Sequence, residues 1–129
     1  MIKDFEIEII SPEKVLMSDK TFSVTIPSYE GDMTILPDHI SLTTFLRPGV
    51  VIVSGKDQIK FFLEEGTVEF SKNKLSILSS TIIEISKLSK DNISKMINDA
   101  KELLNKKDLD DKKRYIASHK LDCLSKISL

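Results

Sequence analysis

The hydrophobic periodicity of this chain changes once, near residue 88, and this change constrains the fold more than any other feature. Before it, apolar side chains alternate with polar ones, as in strands that bury one face. After it, apolar residues recur at intervals of three and four, as on one face of an α-helix. All four prolines and all four glycines precede residue 67. The sequence therefore predicts a β unit over residues 1–86 and a helical unit over residues 87–129.

The β unit is predicted to contain many short strands separated by turns. Phe5, Ile7 and Ile9 alternate with acidic residues, and further strands are predicted at 22–26, 50–53, 59–63, 75–78 and 82–85. Turn-forming residues separate these runs at intervals of about 8–12 residues, which favours an antiparallel sandwich or barrel. The predicted fold class is mainly β plus α: an N-terminal antiparallel β-sandwich of about ten strands, then a C-terminal antiparallel two-helix hairpin.

Two helices joined by a short break are predicted in the second unit. Ser89 suits the N-cap of the first helix, and Asp91 its first turn. The apolar face of this helix comprises Ile93, Met96, Ile97, Ala100, Leu103 and Leu104. The second helix is predicted from about Leu109 to the end, with a thinner apolar face of Leu109, Ile116, Leu124 and Ile127, and with Tyr115, Leu121 and Cys123 at its edges. A hairpin with so thin a face needs another surface to pack on.

The two units differ in charge. The whole chain has a net charge of −1. Residues 1–86 hold 8 basic and 13 acidic side chains, which gives −5, whereas residues 87–129 hold 11 basic and 7 acidic ones, which gives +4. This asymmetry suggests units with different partners. The simpler alternative is that the basic excess is a solvated helix face.

Several functional classes lack support in the sequence. There is no Gly-x-Ser-x-Gly nucleophile elbow and no glycine-rich phosphate loop. His39 and His119 fall in different units and Cys123 is the only cysteine, so no familiar zinc spacing occurs. The composition does not suggest nucleic-acid binding. We therefore expect a protein that is not an enzyme and that has no cofactor and no metal.

The sequence also bears on the compartment. No apolar run approaches the roughly 18–20 residues that cross a bilayer, so no direct bilayer insertion is expected. The N-terminal residues lack the features of a secretory signal. The lone Cys123 cannot form an internal disulfide, which points to a reducing compartment.

The most informative segment covers residues 30–42 and continues to residues 46–49. It has a glycine turn at Gly31, a strand that ends in Leu36-Pro37-Asp38-His39, a leucine at Leu42, and Pro48-Gly49 before a valine-rich strand. This arrangement resembles the signature of the epsilon subunits of F-type ATP synthases. Residues 5–12, 65–70 and 73–78 resemble the strands and turns of the same family. The resemblance is strong over residues 5–85 and is architectural over the helices.

The resemblance implies that the β unit binds the gamma subunit of the central stalk and the membrane-embedded c-ring. The residues carried over to these contacts are Glu30, Gly31, Asp32, His39 and Leu42. Carboxylates of the acidic turn would pair with arginines on the ring loops. Two alternatives remain open: the acidic turn is simply solvated, and His39 only satisfies the backbone of its own turn.

The resemblance also implies that the helical hairpin regulates ATP hydrolysis. Docked on the sandwich it permits hydrolysis, and extended along gamma it blocks rotation. The resemblance extends the partners to the alpha and beta subunits. The basic side chains expected to approach an acidic segment of beta are Lys112, Lys113, Arg114, Lys120 and Lys126. Some members bind ATP through an Ile/Leu-Asp-x-x-Arg-Ala motif. The corresponding positions are Leu88, Ser89, Asn92 and Ile93, so the acid and the arginine are both replaced and weak or no ATP binding is expected.

Taken with the residues, the resemblance predicts a non-catalytic stalk subunit that couples ion-driven rotation to ATP synthesis. Its expected location is peripheral, on the cytoplasmic face of the bacterial inner membrane or the organelle equivalent. One rival interpretation is a sandwich-and-hairpin adaptor of an unrelated complex. A small enzyme is another, weakened by the missing catalytic constellations.

Overall fold

The computed structural model describes residues 3–127. This part of the chain folds into ten strands and two α-helices, with one turn of 3-10 helix at Ile85–Lys87 between them. The strands are β1 (Phe5–Ile10), β2 (Val15–Thr21), β3 (Ser23–Ser28), β4 (Gly31–Ile35), β5 (Leu42–Leu46), β6 (Gly49–Ser54), β7 (Gln58–Leu63), β8 (Gly66–Ser71), β9 (Lys74–Leu78) and β10 (Ile83–Glu84). The helices are α1 (Lys90–Leu104) and α2 (Asp111–Lys126). The predicted fold class is confirmed.

The strands form one continuous sheet that curls so that its inner faces enclose a common core. Their order is β10-β7-β6-β3-β5-β8-β9-β1-β2, and β4 pairs with β3 beside this path. Every pairing is antiparallel except that of β1 with β9, which is parallel and aligns Ile7 with Leu75. Periodicity alone gave no sign of this parallel pair, because it joins strands far apart in sequence.

The core confirms the predicted alternation of the first strand. Phe5, Ile7 and Ile9 are buried, whereas the acidic residues between them are not. The Phe5 ring meets the Phe70 ring edge to face, with centroids 5.6 Å apart. The other fully enclosed core side chains include Val24, Ile26, Ile35, Val51, Leu63, Val68, Leu75 and Ile77.

Two predicted strands have different bounds in the structure. The run at 82–85 pairs only through Ile83 and Glu84, because the chain turns into the 3-10 helix at Ile85. The run at 22–26 begins one residue later than predicted. Phe22 lies on the bend between β2 and β3, and its N–H donates to the carbonyl of Ser54.

The start of α1 follows the predicted capping. The Ser89 hydroxyl oxygen accepts from the N–H of Asn92 at 3.0 Å, and the Asn92 side-chain oxygen accepts from the N–H of Ser89 at 3.2 Å. This reciprocal pair is a capping box. The second helix begins at Asp111 and not at Leu109, because the Asp110 carboxylate accepts from the N–H of Lys113 at 2.7 Å and so caps the helix there.

The buried face of α2 differs from the predicted one. Ala117 and Leu124, seven residues apart, are its two buried residues. Ile116 is only half-buried, and Leu109 and Ile127 lie outside the helix. The prediction missed Ala117 because a small side chain adds little to an apolar pattern, although it allows close approach of the neighbouring surface.

The sheet has two ends that differ in what covers them. At one, here called the hairpin end, lie the turns at 29–30, 47–48, 64–65 and 79–82, and α2 contacts β6. At the other, the distal end, lie the segments at 36–41, 55–57 and 72–73.

Phe62 is 1% exposed, yet it points away from Phe61 and Leu63 and lies outside the main core. Its partner across the sheet is Val50 of β6, the strand that α2 contacts.

Gly49 is the position where the packing of the sheet leaves no room for a side chain. A Cβ atom there would lie 2.5 Å from Cβ and 2.8 Å from Cγ of Pro27, and both residues are buried. We therefore expect Gly49→Ala to lower the free energy of unfolding by about 1–3 kcal/mol, as overpacking does. Urea denaturation measures this change. Gly55→Ala is the matched control, because its new Cβ would meet its nearest atom, the Lys20 carbonyl oxygen, at 3.3 Å. An equal loss in the two variants would contradict the packing argument.

Candidate partner interface and hairpin-docking site

The acidic turn at the hairpin end is held by its own backbone and by Ser28. The buried Ser28 hydroxyl donates to the carbonyl of Gly31 at 2.7 Å and accepts from the N–H of Glu30 at 3.2 Å. Gly31 has a φ of +119°, a conformation that L side chains rarely adopt. The turn is thereby fixed with the side chains of Tyr29 and Glu30 exposed.

Arg47 connects this turn to the start of β6. One guanidinium nitrogen donates to the carbonyl of Pro48 at 3.1 Å, and another pairs with the carboxylate of Asp32 at 3.3 Å. The Arg47 side chain is 19% exposed, whereas that of Asp32 is 70% exposed. A cation that is largely withdrawn from water is thus balanced by a carboxylate at the surface.

Helix α2 packs over this arrangement through aromatic and charged contacts. The rings of Tyr29 and Tyr115 stack with centroids 5.7 Å apart and planes 15° apart. His119 follows one turn later, with its ring centroid 4.3 Å from that of Tyr115. Lys120 forms an ion pair with Glu64, the residue that follows β7. These contacts hold the hairpin on the sheet, and Ala117 and Leu124 are the buried residues of α2.

The docked position alters two titratable groups of α2. Burial lowers the pKa of His119, and the positive charge of Arg47 lowers it further, while Asp122 acts in the opposite direction. Burial is also the main reason why the pKa of Cys123 rises to about 11. Cys123 is therefore a protonated thiol at neutral pH, which makes it a poor nucleophile.

The five residues predicted for the stalk and ring contacts do not form one patch. Glu30, Gly31 and Asp32 lie at the hairpin end, whereas His39 and Leu42 lie at the distal end. The Leu42 side chain packs against the core.

His39 is well satisfied within its own segment. Its N–H donates to the carbonyl of Leu36 at 3.1 Å, and its Nδ1 lies 2.7 Å from the carbonyl oxygen of Ile40. Its ring also meets that of Phe70 edge to face at 5.9 Å. These contacts account for a histidine here without any partner subunit.

The five basic residues predicted to approach the beta subunits differ in their surroundings. Lys112 and Lys113 are exposed in the first turn of α2, and Arg114 donates to the carbonyl of Leu104 at 3.4 Å, across the helix connection. Lys120 pairs with Glu64 as described, and Lys126 pairs with Asp122 of the same helix at 3.1 Å. In the docked position Lys120 is thus engaged by the sheet.

The positions that correspond to the ATP-binding motif build the start of α1. The Ser89 hydroxyl donates to the Asn92 side-chain oxygen at 2.7 Å, in addition to the capping bonds. Leu88 is half-buried and Ile93 is buried. The polar atoms at these positions thus bond to each other, and the apolar ones pack inward.

An exposed apolar row on the outer face of the sheet was not predicted from the sequence. The strand registers place Phe45 opposite Thr67, Thr67 opposite Leu78, Leu78 opposite Ile10, and Ile10 opposite Val15. Phe45, Leu78 and Val15 are 63%, 51% and 53% exposed. A groove of about 960 Å³ runs beside this row, towards Tyr29 and Ile116. The only signal in the sequence was an apolar residue at outward positions such as Phe45, where alternation calls for a polar one.

Two further findings concern residues 3–127. No group of three or more histidine, cysteine, aspartate or glutamate side chains is placed to hold a metal ion within this range. Neither α-helix in the described part of the chain is long and apolar enough to cross a membrane.

Comparison with known proteins identifies the family. Residues 4–85 match the family described as ATP synthase, Delta/Epsilon chain, beta-sandwich domain. The chain is 38% identical to the ATP synthase epsilon chain of Pelagibacter ubique (strain HTCC1062), over 99% of this chain and 100% of that one. It is 34% identical to the ATP synthase epsilon chain of Allorhizobium ampelinum, over 95% of this chain and 88% of that one.

Solved structures share the fold at low sequence identity. A chain of the Euglena gracilis mitochondrial ATP synthase (OSCP/F1/c-ring) superposes with a TM-score of 0.78 and 16% identity, over 95% of this chain and 79% of that one. A chain of the Tetrahymena thermophila mitochondrial ATP synthase (central stalk/c-ring) superposes with a TM-score of 0.67 and 17% identity, over 96% of both chains. The fold agreement extends over the sheet and the helices together. The chain therefore belongs to the ATP synthase delta/epsilon family, as an epsilon chain, a non-catalytic subunit of the rotary complex.

Proposed function

We propose that this epsilon chain couples ion-driven rotation to ATP synthesis by joining the gamma subunit to the c-ring, and that its hairpin modulates ATP hydrolysis. In this proposal residues 1–86 are the unit that binds the stalk and ring, and residues 87–129 are the regulatory unit. The chain would act as a peripheral subunit on the cytoplasmic face of the bacterial inner membrane, or at the organelle equivalent. The exposed apolar row is the observation that carries the proposal.

The apolar row has the chemistry of the central part of a subunit interface. Exposed Phe45, Leu78 and Val15 lie along it, with Thr67 as a small neutral residue between the first two. Centres of stable interfaces are poor in charge and rich in aromatic and aliphatic side chains. The row crosses five adjacent strands, which makes it about 20 Å long at the usual spacing between strands. We assign this surface to the gamma subunit.

We assign the acidic turn, Glu30 and Asp32, to the c-ring. Glu30 is exposed, and Asp32 shares its charge with Arg47 while remaining largely in water. Contacts between such rim charges and arginines of the ring would set the register of the two bodies more than their affinity. His39 is a weaker candidate for a stalk contact, because its own segment satisfies it. The inward-packed Leu42 would act by shaping the sheet beneath that contact.

The hairpin has the properties expected of an element with two positions. Its docked state rests on the stack of Tyr29 with Tyr115, the ion pair of Lys120 with Glu64, and a small buried face. A bistable element needs two packings within a few kcal/mol of each other. In the extended position Lys112, Lys113 and Arg114 would lead the approach to the alpha and beta subunits.

The gamma assignment predicts the effect of a charge in the apolar row. We expect Phe45→Lys to weaken binding of the purified chain to epsilon-depleted F1 by about tenfold or more, because the charge must be desolvated at the centre of the interface. Titration calorimetry or displacement of labelled wild-type chain measures the loss. Thr43→Lys is the matched control, since Thr43 is exposed on the same strand and lies opposite Glu69, outside the row. Equal binding by the two variants would refute this assignment.

The hairpin assignment predicts opposite effects for removal and release. Truncation after residue 86 should leave the complex assembled and raise its ATP hydrolysis, because no helix remains to block rotation. Glu64→Lys should lower hydrolysis, because repulsion from Lys120 frees an intact hairpin. Hydrolysis by the purified complex measures both changes.

The combination of the two changes provides the control. In the truncated chain, Glu64→Lys should have no further effect, because its only proposed target is gone. An unchanged rate after truncation, or a persistent effect of Glu64→Lys without the hairpin, would contradict the regulatory assignment.

The bonds at the start of α1 predict that the chain does not bind ATP with micromolar affinity. Ser89 and Asn92 replace the acid and the arginine of the motif and bond to each other. Isothermal titration of the full chain with ATP should therefore give no saturating signal at micromolar concentrations. A micromolar dissociation constant that Asn92→Ala leaves intact would show that ATP binds through other residues.

A further inference from the structure

We propose that His119 makes docking of the hairpin sensitive to pH: protonation of its imidazole releases α2 from the sheet, so mildly acidic conditions favour the free hairpin. The proposal rests on the regulatory role proposed above for the hairpin. It adds a chemical signal that no part of that role requires.

His119 lies in the row of α2 side chains that meets the sheet beside the acidic turn. Tyr115, His119 and Cys123 recur every four residues, so they share one edge of the helix. Tyr115 stacks on Tyr29, the His119 ring lies 4.3 Å from Tyr115, and Cys123 is partly buried one turn beyond. Tyr115 and Cys123 therefore flank this histidine along the helix, and Tyr115 links it to Tyr29 of the sheet.

The groups around His119 divide into those that move with it and those that do not. Tyr115 and Asp122 belong to α2, so their stabilisation of an imidazolium is nearly the same in the docked and free states. Arg47 belongs to the sheet, and its positive charge acts on His119 only when α2 is docked. Burial likewise exists only in the docked state. The two influences that depend on docking thus both disfavour the charged ring.

The other nearby charges do not reverse the effect of docking on the protonated His119 ring. Asp32 offsets part of the Arg47 charge through their ion pair, and Glu64 is engaged by Lys120. Of the two charges that shift the pKa of His119, that of Arg47 comes from the sheet and that of Asp122 from α2 itself. Cys123 stays a neutral thiol across mildly acidic and neutral pH, because its pKa is about 11.

The direction of the pH effect follows from the pKa of His119. Docking lowers this pKa, and release returns it towards the ordinary value of about 6.5. The free hairpin therefore binds the proton more tightly than the docked one. By linkage, docking is strongest above about pH 6.5 and weakens as the pH falls through the pKa of the free histidine.

Cys123 offers a direct measure of docking in the intact chain. A maleimide reagent reacts with its thiol faster when the hairpin leaves the sheet. The labelling rate of the urea-unfolded chain at the same pH removes the intrinsic pH dependence of the thiol. The ratio of the two rates is the protection of Cys123. We expect this protection to fall several-fold between pH 7.5 and pH 5.5 in the full wild-type chain.

The variants assign the effect to His119. His119→Gln should give nearly constant protection over this range, whereas His39→Gln, which changes the other histidine at the distal end, should keep the wild-type dependence. Asp32→Asn should deepen the loss of protection at low pH without moving its onset, because the Arg47 charge is then no longer offset in the docked state while the free histidine is unchanged. Hydrogen exchange of β1 and β9 should remain protected throughout, which separates release of the hairpin from unfolding of the sheet.

Two results would overturn the proposal: constant protection in the wild-type chain, or an unchanged pH dependence in His119→Gln. Its failure can be told apart from failure of the hairpin's regulatory role. If truncation after residue 86 left ATP hydrolysis unchanged while Cys123 protection still depended on pH and His119, the regulatory role would fail and the proton-sensitive contact would stand.

Discussion

Helix α2 buries only Ala117 and Leu124 completely, and the behaviour of the hairpin depends on how little this is. A fully buried leucine contributes about 1.5–3 kcal/mol, and an alanine less. An isolated hairpin of two short helices is marginal in water. The contacts at its edge, the tyrosine stack and the ion pair of Lys120, are each worth about 1 kcal/mol or less. Docking is thus a sum of small terms, in which the loss of one changes the population of the docked state.

The sheet, unlike the hairpin, is stabilised by an extensive buried core. Its strands share one buried hydrophobic core, and the parallel pairing of β1 with β9 ties the first strand to one near the end of the sheet's sequence. Exposed apolar side chains remain on the outer face, where Phe45 and Leu78 cost the free chain solubility. A body that does not deform can transmit torque between a stalk and a ring. A hairpin held by small terms can instead respond to the state of the enzyme.

The sequence predicted the parts of this structure that depend on local chemistry. Alternation predicted the inward residues of β1, and Ser89 as an N-cap predicted the start of α1. The family resemblance gave the acidic turn. What could not be predicted depends on residues brought together from distant segments. The parallel β1–β9 pair, the apolar row across five strands and the placement of Arg47 near His119 each bring together residues from separate segments.

Asp32 is the residue where the two proposed surfaces meet. Its carboxylate belongs to the turn assigned to the c-ring, and in the docked state it balances the Arg47 charge that faces His119. A ring arginine that paired with Asp32 would compete with Arg47 for that carboxylate. The less Asp32 offsets Arg47, the less a protonated His119 is tolerated in the docked hairpin. Under these assignments, engagement of the ring and acidification both weaken docking of the hairpin, and both act through the ion pair of Arg47 with Asp32.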